Sequence, residues 1–417
     1  MKKLLLWLLM VVVMVALLLG GAAAALYAMT GENKLPQNHP TLGEAALEPN
    51  GYDWTVPVLG HVVERNFSSL TNLTVQKLGD MGDTSPVLTL PDWVNRSEMT
   101  LTGPDGTVAA QGDASAYMEY VYTQNGQYQL DLTLYRDAQP DVNGVSTGWY
   151  AYRVNYTVNI QPKATLSTTS APQGTVVAVS VTGILDGSTP TLESDLGTVW
   201  FRKTTDGFMG YIPITYNTSG GEHELTLTCG ELVQQLALSV TENKVSTVQV
   251  EPEEEVTVPG ASDQYKNAIW PLYAQGSSDK LWQGAFAAPC TSLPTAQYGD
   301  RLMTDGAVTS RSTGLTYAAA EPGSTVSAPQ NGTVAYAGEL ALTGGTVVID
   351  HGCGVKSYLF GLGTVSVQQG QTVARGDTVG TTTDVHDLIY ELRIGNKSVD
   401  PAAAIKGSSG LQYQENK

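Results

Sequence analysis

The sequence predicts a mainly β protein behind one long apolar helix. Three observations carry that prediction. Lys2 and Lys3 precede a run from Leu4 to Met29 with no charged residue. Downstream, short apolar–polar alternations recur between turn residues, as in MTLTGPDGTVAA (Met99 to Ala110) and AYMEYVYTQNGQYQLDLTLY (Ala116 to Tyr135). Alternation with period two is the pattern of a half-buried strand, and Pro-Asp-Gly and Asn-Gly supply the backbone angles that hairpins need. Finally, long stretches of helical periodicity are few after Thr30, and 417 residues are enough for two or three domains.

The apolar run exceeds the roughly 20 residues that span a bilayer and the 7–15 of a signal-peptide core. Residues 1–30 are therefore expected to be a single-pass membrane anchor, with the positive charges on the cytoplasmic side and the rest of the chain outside. The alternative is a secreted protein whose signal peptide is cleaved near the small residues Gly20 to Ala24.

Residues 31–51 carry Pro36, Pro40 and Pro49 without periodicity and are expected to form a stalk. Residues 52–162 contain several short strands and end in GWYAYRVNYTVNI (Gly148 to Ile160), which suggests an immunoglobulin-like β-sandwich. Its tyrosines (Tyr117, Tyr120, Tyr122, Tyr128, Tyr150, Tyr152) and Trp149 are read as half-buried strand aromatics in preference to a sugar-stacking surface. Residues 163–243 alternate again in TVVAVSVTG, TVWFRKT, GYIPITYN and HELTLTCG, and are expected to form a second module. Residues 244–284 hold the acidic run Glu251 to Glu255, and an acidic linker is expected. Residues 285–406 form the last domain, and 407–417 a polar tail.

A net charge of −18 and a pI near 4.6 argue against nucleic acid as a partner. Three cysteines (Cys229, Cys290, Cys353) are too few for a disulfide framework and read as buried free thiols. No phosphate-cradling loop is present, because the glycines sit between strands and open no helix.

Gly345 to Pro401 reads GTVVIDHGCGVKSYLFGLGTVSVQQGQTVARGDTVGTTTDVHDLIYELRIGNKSVDP, a series of closely spaced strands split by glycine turns. With STGLTYAAAEPGSTVSAPQNGTV upstream (Ser312 to Val334), this stretch resembles the lysostaphin/LytM-type zinc metalloendopeptidases, which cut peptidoglycan cross-bridges. The resemblance implies an antiparallel β domain of the duplicated-hybrid-motif kind. The 163–243 module resembles the small bacterial immunoglobulin-like module that often precedes such domains.

In that family three patches, HxGxD, YxHL and HxHFE, hold the metal and the catalytic groups. Here Ser312 and Thr316 stand at the first two ligand positions, Gly361 at the catalytic histidine, Asp387 at the next histidine and Ile389 at the last ligand. Neutral hydroxyls are poor zinc ligands and a hydrocarbon is none. His351 matches a family position that is not a ligand. His386 is one residue out of step, on the opposite strand face.

The resemblance therefore implies a pseudo-enzyme with no cofactor. Its former groove, lined by Ser312, Thr316, Gly361, Asp387, Ile389 and Tyr390, would bind an envelope protein (a wall hydrolase or a sporulation complex) or peptidoglycan. The alternative is an active endopeptidase with zinc as cofactor.

Overall fold

The structure is a computed structural model that describes residues 2–59, 62–69, 75–82, 85–139, 144–250, 258–318 and 321–413. It divides into two compact units, residues 1–161 and 162–417. The acidic run Glu251 to Glu255 lies outside the described residues.

In the first unit, Lys2–Met29 form one helix whose apolar side chains are exposed along its length. The following residues are not a free stalk. Leu35, Leu42 and Leu47 are buried, and Thr41–Leu42 pairs with both Ala45–Ala46 and Leu88–Thr89. Three leucines spaced among prolines anchor a segment whose average composition is that of a tether.

Where two separate sheets were expected next, seven strands hydrogen-bond into one. Six run in the order Val63–Ser69, Gly51–Leu59, Thr147–Val158, Gly126–Arg136, Arg96–Thr102 and Val108–Gly112, and the seventh, Gln76–Asp80, joins Thr147–Val158. The cause is the length of Thr147–Val158. One end pairs with Gly51–Thr55, and the other pairs in parallel with Gln76–Asp80. Tyr117, Tyr122, Tyr128, Tyr150, Tyr152 and Tyr156 are core, and the Tyr122 hydroxyl lies 3.0 Å from that of Tyr117 and 2.9 Å from that of Tyr156.

The second unit begins with a two-sheet sandwich. Lys163–Leu166, Val176–Thr182, Gly207–Pro213 and Arg202–Lys203 form one sheet; Ser170–Pro172, Thr191–Glu193, Gly221–Cys229 and Leu232–Thr241 form the other. Val176 to Val181 is buried on both faces. Val177, Val179 and Val181 fill the sandwich, while Val176 and Ala178 join Met209 and Tyr211 in a second core with Trp282, Phe286, Leu392, Ile394 and Leu411. The sandwich thus shares a core with the C-terminal domain. The C-terminal residues up to Tyr413 are part of this packing, and Trp282 Nε1 donates to the Leu411 carbonyl at 3.0 Å.

The C-terminal domain is built on an antiparallel sheet whose strands are β1 (Leu315–Tyr317), β2 (Gly332–Leu340), β3 (Gly344–Gly352), β4 (Val355–Leu362), β5 (Thr372–Val373), β6 (Leu388–Ile394) and β7 (Lys397–Val399). Their order is β1-β6-β4-β3-β2-β5, with β7 also on β6. Strands β3 and β4 are buried over their whole length, hence on both faces. One face packs on Val326, Val334, Leu359, Val379 and Tyr390.

The other face is covered by a segment that was expected to be linker. Ala261–Ile269 is a helix, Trp270–Tyr273 continues it as a tighter turn, and Trp282 is buried. Residues 258–282 are therefore part of the domain. Tyr265, Ile269 and Leu272, spaced four and three apart, form one apolar helix stripe.

Candidate functional site

Cross-strand register fixes where the candidate residues lie. Thr316 on β1 pairs with Ile389 on β6, and Ile389 pairs with Phe360 on β4. Residues aligned across paired strands point to one face, so these three side chains form a row. Their neighbours Leu315, Leu359 and Tyr390 point to the opposite face and enter the core. Tyr390, expected on the groove, is instead fully buried, with its hydroxyl 3.4 Å from Ser357 Oγ. The one-residue alternation of β6 that brings Ile389 to the site face takes Tyr390 away from it.

Ser312 is also buried, and its hydroxyl donates to the Gly314 carbonyl at 2.8 Å. Gly361 sits at φ +76°, in the left-handed region, where β4 bulges away from regular pairing with β3. A β-carbon built there would lie 2.0 Å from the carbonyl oxygen of Asp387. The position therefore has no room for any side chain on this backbone. Asp387 is exposed on the adjacent turn; the packing around its carboxyl raises its pKa above the ordinary value, and nearby His386 opposes the rise.

These residues do not fit a zinc ion. Ile389 offers a hydrocarbon, Gly361 no side chain, Ser312 a hydroxyl already committed to a carbonyl, and Thr316 a neutral hydroxyl. Among the described residues, no three His, Cys, Asp or Glu side chains are grouped to hold a metal. His351 is enclosed, between the Asn331 carbonyl at 2.7 Å and Ser357 Oγ at 2.8 Å. Burial pushes its pKa down to about 4. It orders the core and faces no groove.

The site face is covered by residues 261–280 acting as a strap. Tyr265, Ile269, Leu272 and Tyr273 pack over Val348, Tyr358, Phe360 and Ile389. Polar groups fix the strap along its length. Gln264 Oε1 accepts from the Ala341 amide at 3.1 Å. The Arg393 guanidinium donates to Tyr273 Oη at 3.2 Å and to Glu391 at 2.6 Å. Thr313 Oγ1 donates to the same Glu391 carboxylate. Further on, Lys356 Nζ donates to the Gln275 carbonyl, and the Ser277 amide donates to Asp350 Oδ2 at 2.8 Å.

The register thus joins Thr316 with Ile389, places Gly361 and Asp387 against each other at the rim, and separates Ser312 and Tyr390 into the interior. Sequence reasoning missed the strap, whose only signal was the Tyr265–Ile269–Leu272 spacing across a nine-residue helix and the turn that follows it.

Residues 310–401 match the model of Peptidase family M23. An uncharacterized protein of Neisseria meningitidis serogroup B is 31% identical over 137 residues, which is 31% of this chain and 22% of that protein's length. A solved structure described as peptidase M23 from Pseudomonas aeruginosa is similar at 20% identity and TM-score 0.42, over 53% of this chain and 89% of that one. The SpoIIQ–SpoIIIAH pore-forming complex is similar at 20% identity and TM-score 0.26, over 30% of this chain and 94% of the matched chain. Csd3 of Helicobacter pylori is similar at 10% identity and TM-score 0.27, over 78% and 75%.

Proposed function

We propose, from the premise that residues 310–401 form a domain of peptidase family M23, that this domain is a pseudo-enzyme and that the protein works by binding. Its setting is the outer side of a cell membrane, to which residues 1–30 anchor the chain. Its ligand is an envelope protein, such as a wall hydrolase or a sporulation complex, or a peptidoglycan strand. The observation that carries this reading is at Gly361. Gly361, which the resemblance puts at the family's catalytic position, is a left-handed glycine with a carbonyl oxygen 2.0 Å from where a β-carbon would be. Loss of a histidine alone is reversible by one substitution. A backbone that has closed over the position marks a site kept for its shape.

The strap narrows where binding takes place. Ile389 and Phe360 lie under Tyr265, Ile269 and Leu272, so the ligand meets the outer surface of the strap and the rim at Asp387 and His386. The test is capture by the purified chain outside the membrane helix. Co-sedimentation with purified sacculi identifies peptidoglycan, and cross-linking in the intact envelope identifies a protein. Recovery of neither contradicts the binding reading. Release of muropeptides from sacculi, dependent on zinc, identifies the competing endopeptidase.

A further inference from the structure

In the first unit the end of the apolar helix is contacted by a β-hairpin. Arg65, on the second strand of the Gly51–Leu59/Val63–Ser69 hairpin, donates from Nη1 to the carbonyls of Tyr27, Ala28 and Thr30. These are the carbonyls that a helix C-terminus leaves without intrahelical partners. The guanidinium also lies over the rings of Tyr27 and Phe67, 5.2 Å and 5.0 Å from their centroids. Both strands of the hairpin touch the helix.

The direction of the hairpin follows from two contacts. Tyr52 Oη donates to Glu32, just past the helix, at 3.0 Å. Tyr52 pairs with Ser69 at the base of the hairpin, whereas Arg65, opposite Val56, reaches back to Tyr27. Going from the base toward Val62 therefore runs from Glu32 toward Tyr27, that is, toward the body of the helix. Leu59 and Val62, the last described residues of the two strands in that direction, are 41% and 91% exposed. Three residues of strand from Arg65 to Val62 add about 10 Å in that direction. A helix of 28 residues is about 42 Å long, which matches a bilayer with its headgroup layers. Tyr27 is itself about 3 Å inside the helix end, so a point about 13 Å inward of that end lies past a headgroup layer about 5–7 Å thick, among the outermost acyl carbons.

We propose that the end of this hairpin marked by Leu59 and Val62 is a membrane-contact element, with these two side chains among the outermost acyl carbons of the outer leaflet. The inference rests on the reading of residues 1–30 as a retained anchor. Its occupant is the lipid itself. Glu64, exposed two residues past Val62, keeps the contact shallow. With Arg65 capping the helix and this end of the hairpin in the leaflet, the unit has two attachments and a fixed orientation to the membrane plane.

The experiment uses the full chain in phosphatidylcholine/phosphatidylglycerol vesicles, with a photo-crosslinking residue at single positions and mass spectrometry of lipid adducts. Val62→p-benzoylphenylalanine reports the hairpin end. Val121→p-benzoylphenylalanine, at a side chain 76% exposed near the other end of the sheet, is the distal control. Trp7→p-benzoylphenylalanine reports the helix. Adducts at Trp7 and Val62, none at Val121, and their loss at Val62 on adding Arg65→Ala support the proposal. Adducts at Trp7 without adducts at Val62 overturn it and leave the anchor standing. Equal adducts at Val62 and Val121 overturn it as non-specific. A mature chain lacking Trp7 overturns both the anchor and the contact.

Discussion

At Gly361, a left-handed φ and a neighbouring carbonyl together forbid a side chain. Gly361→His is therefore expected to lower stability by more than about 2 kcal/mol, read from chemical denaturation, and to bring no zinc with it. A Gly361→His protein that folds normally and takes up zinc contradicts this. Two histidines set opposite pH dependences. His351 is held neutral by burial, with its pKa lowered from 6.5 to about 4. Its stability is whole above pH 6.5 and is lost as pH falls toward 4, by about 3 kcal/mol at the acid end. His223 is raised above 6.5, first by the Ser219 carbonyl and then by Asp195, with its ring 2.9 Å and 3.0 Å from them. Its contribution is whole below pH 6.5 and is lost as pH rises through the folded pKa. Denaturation midpoints across pH 4 to 9 are expected to lose the acid limb in His351→Asn and the alkaline limb in His223→Gln. The C-terminal domain was legible in the sequence because its glycines recur at fixed places between the strands. The closed backbone at Gly361 was not, since a glycine permits a positive φ without requiring one, and the close approach of the Asp387 carbonyl is set by the chain path.

Among the elements, the strap decides what the sheet can meet. Ile269 is fully buried over Tyr358 and Phe360. Ile269→Ala is expected to cost about 2–5 kcal/mol and to speed amide exchange in β4 and β6 specifically. Unchanged exchange there would show that the strap does not seal that face. The segment was unreadable as structure because nine helical residues give little over two turns, next to an acidic stretch that suggests a linker. The strand Val176–Thr182 shows the converse. Its near-continuous VVAVSV run was legible as a strand, but burial on two faces needs a partner that lies more than a hundred residues later, at Trp282 and Leu392. Leu35, Leu42 and Leu47 failed as signals for the same reason, since isolated leucines acquire meaning only once a core forms around them.

For the molecule as a whole, the mainly β class, the apolar N-terminal helix and the C-terminal domain were legible from alternation, turns and motif frames. How the modules join was not. The core shared by Val176, Met209, Tyr211, Trp282 and Leu392 makes the sandwich and the C-terminal sheet one cooperative unit. Trp282→Ala, a loss of about 3–5 kcal/mol, is expected to lower the unfolding transition of both together; two separate transitions in calorimetry would contradict that coupling. The most direct measurement is the zinc content of the purified chain after incubation with zinc and gel filtration. The donor set at Ser312, Thr316, Gly361, Asp387 and Ile389 predicts no stoichiometric metal, with sacculi left intact. One zinc per chain, together with muropeptide release from sacculi, would contradict it.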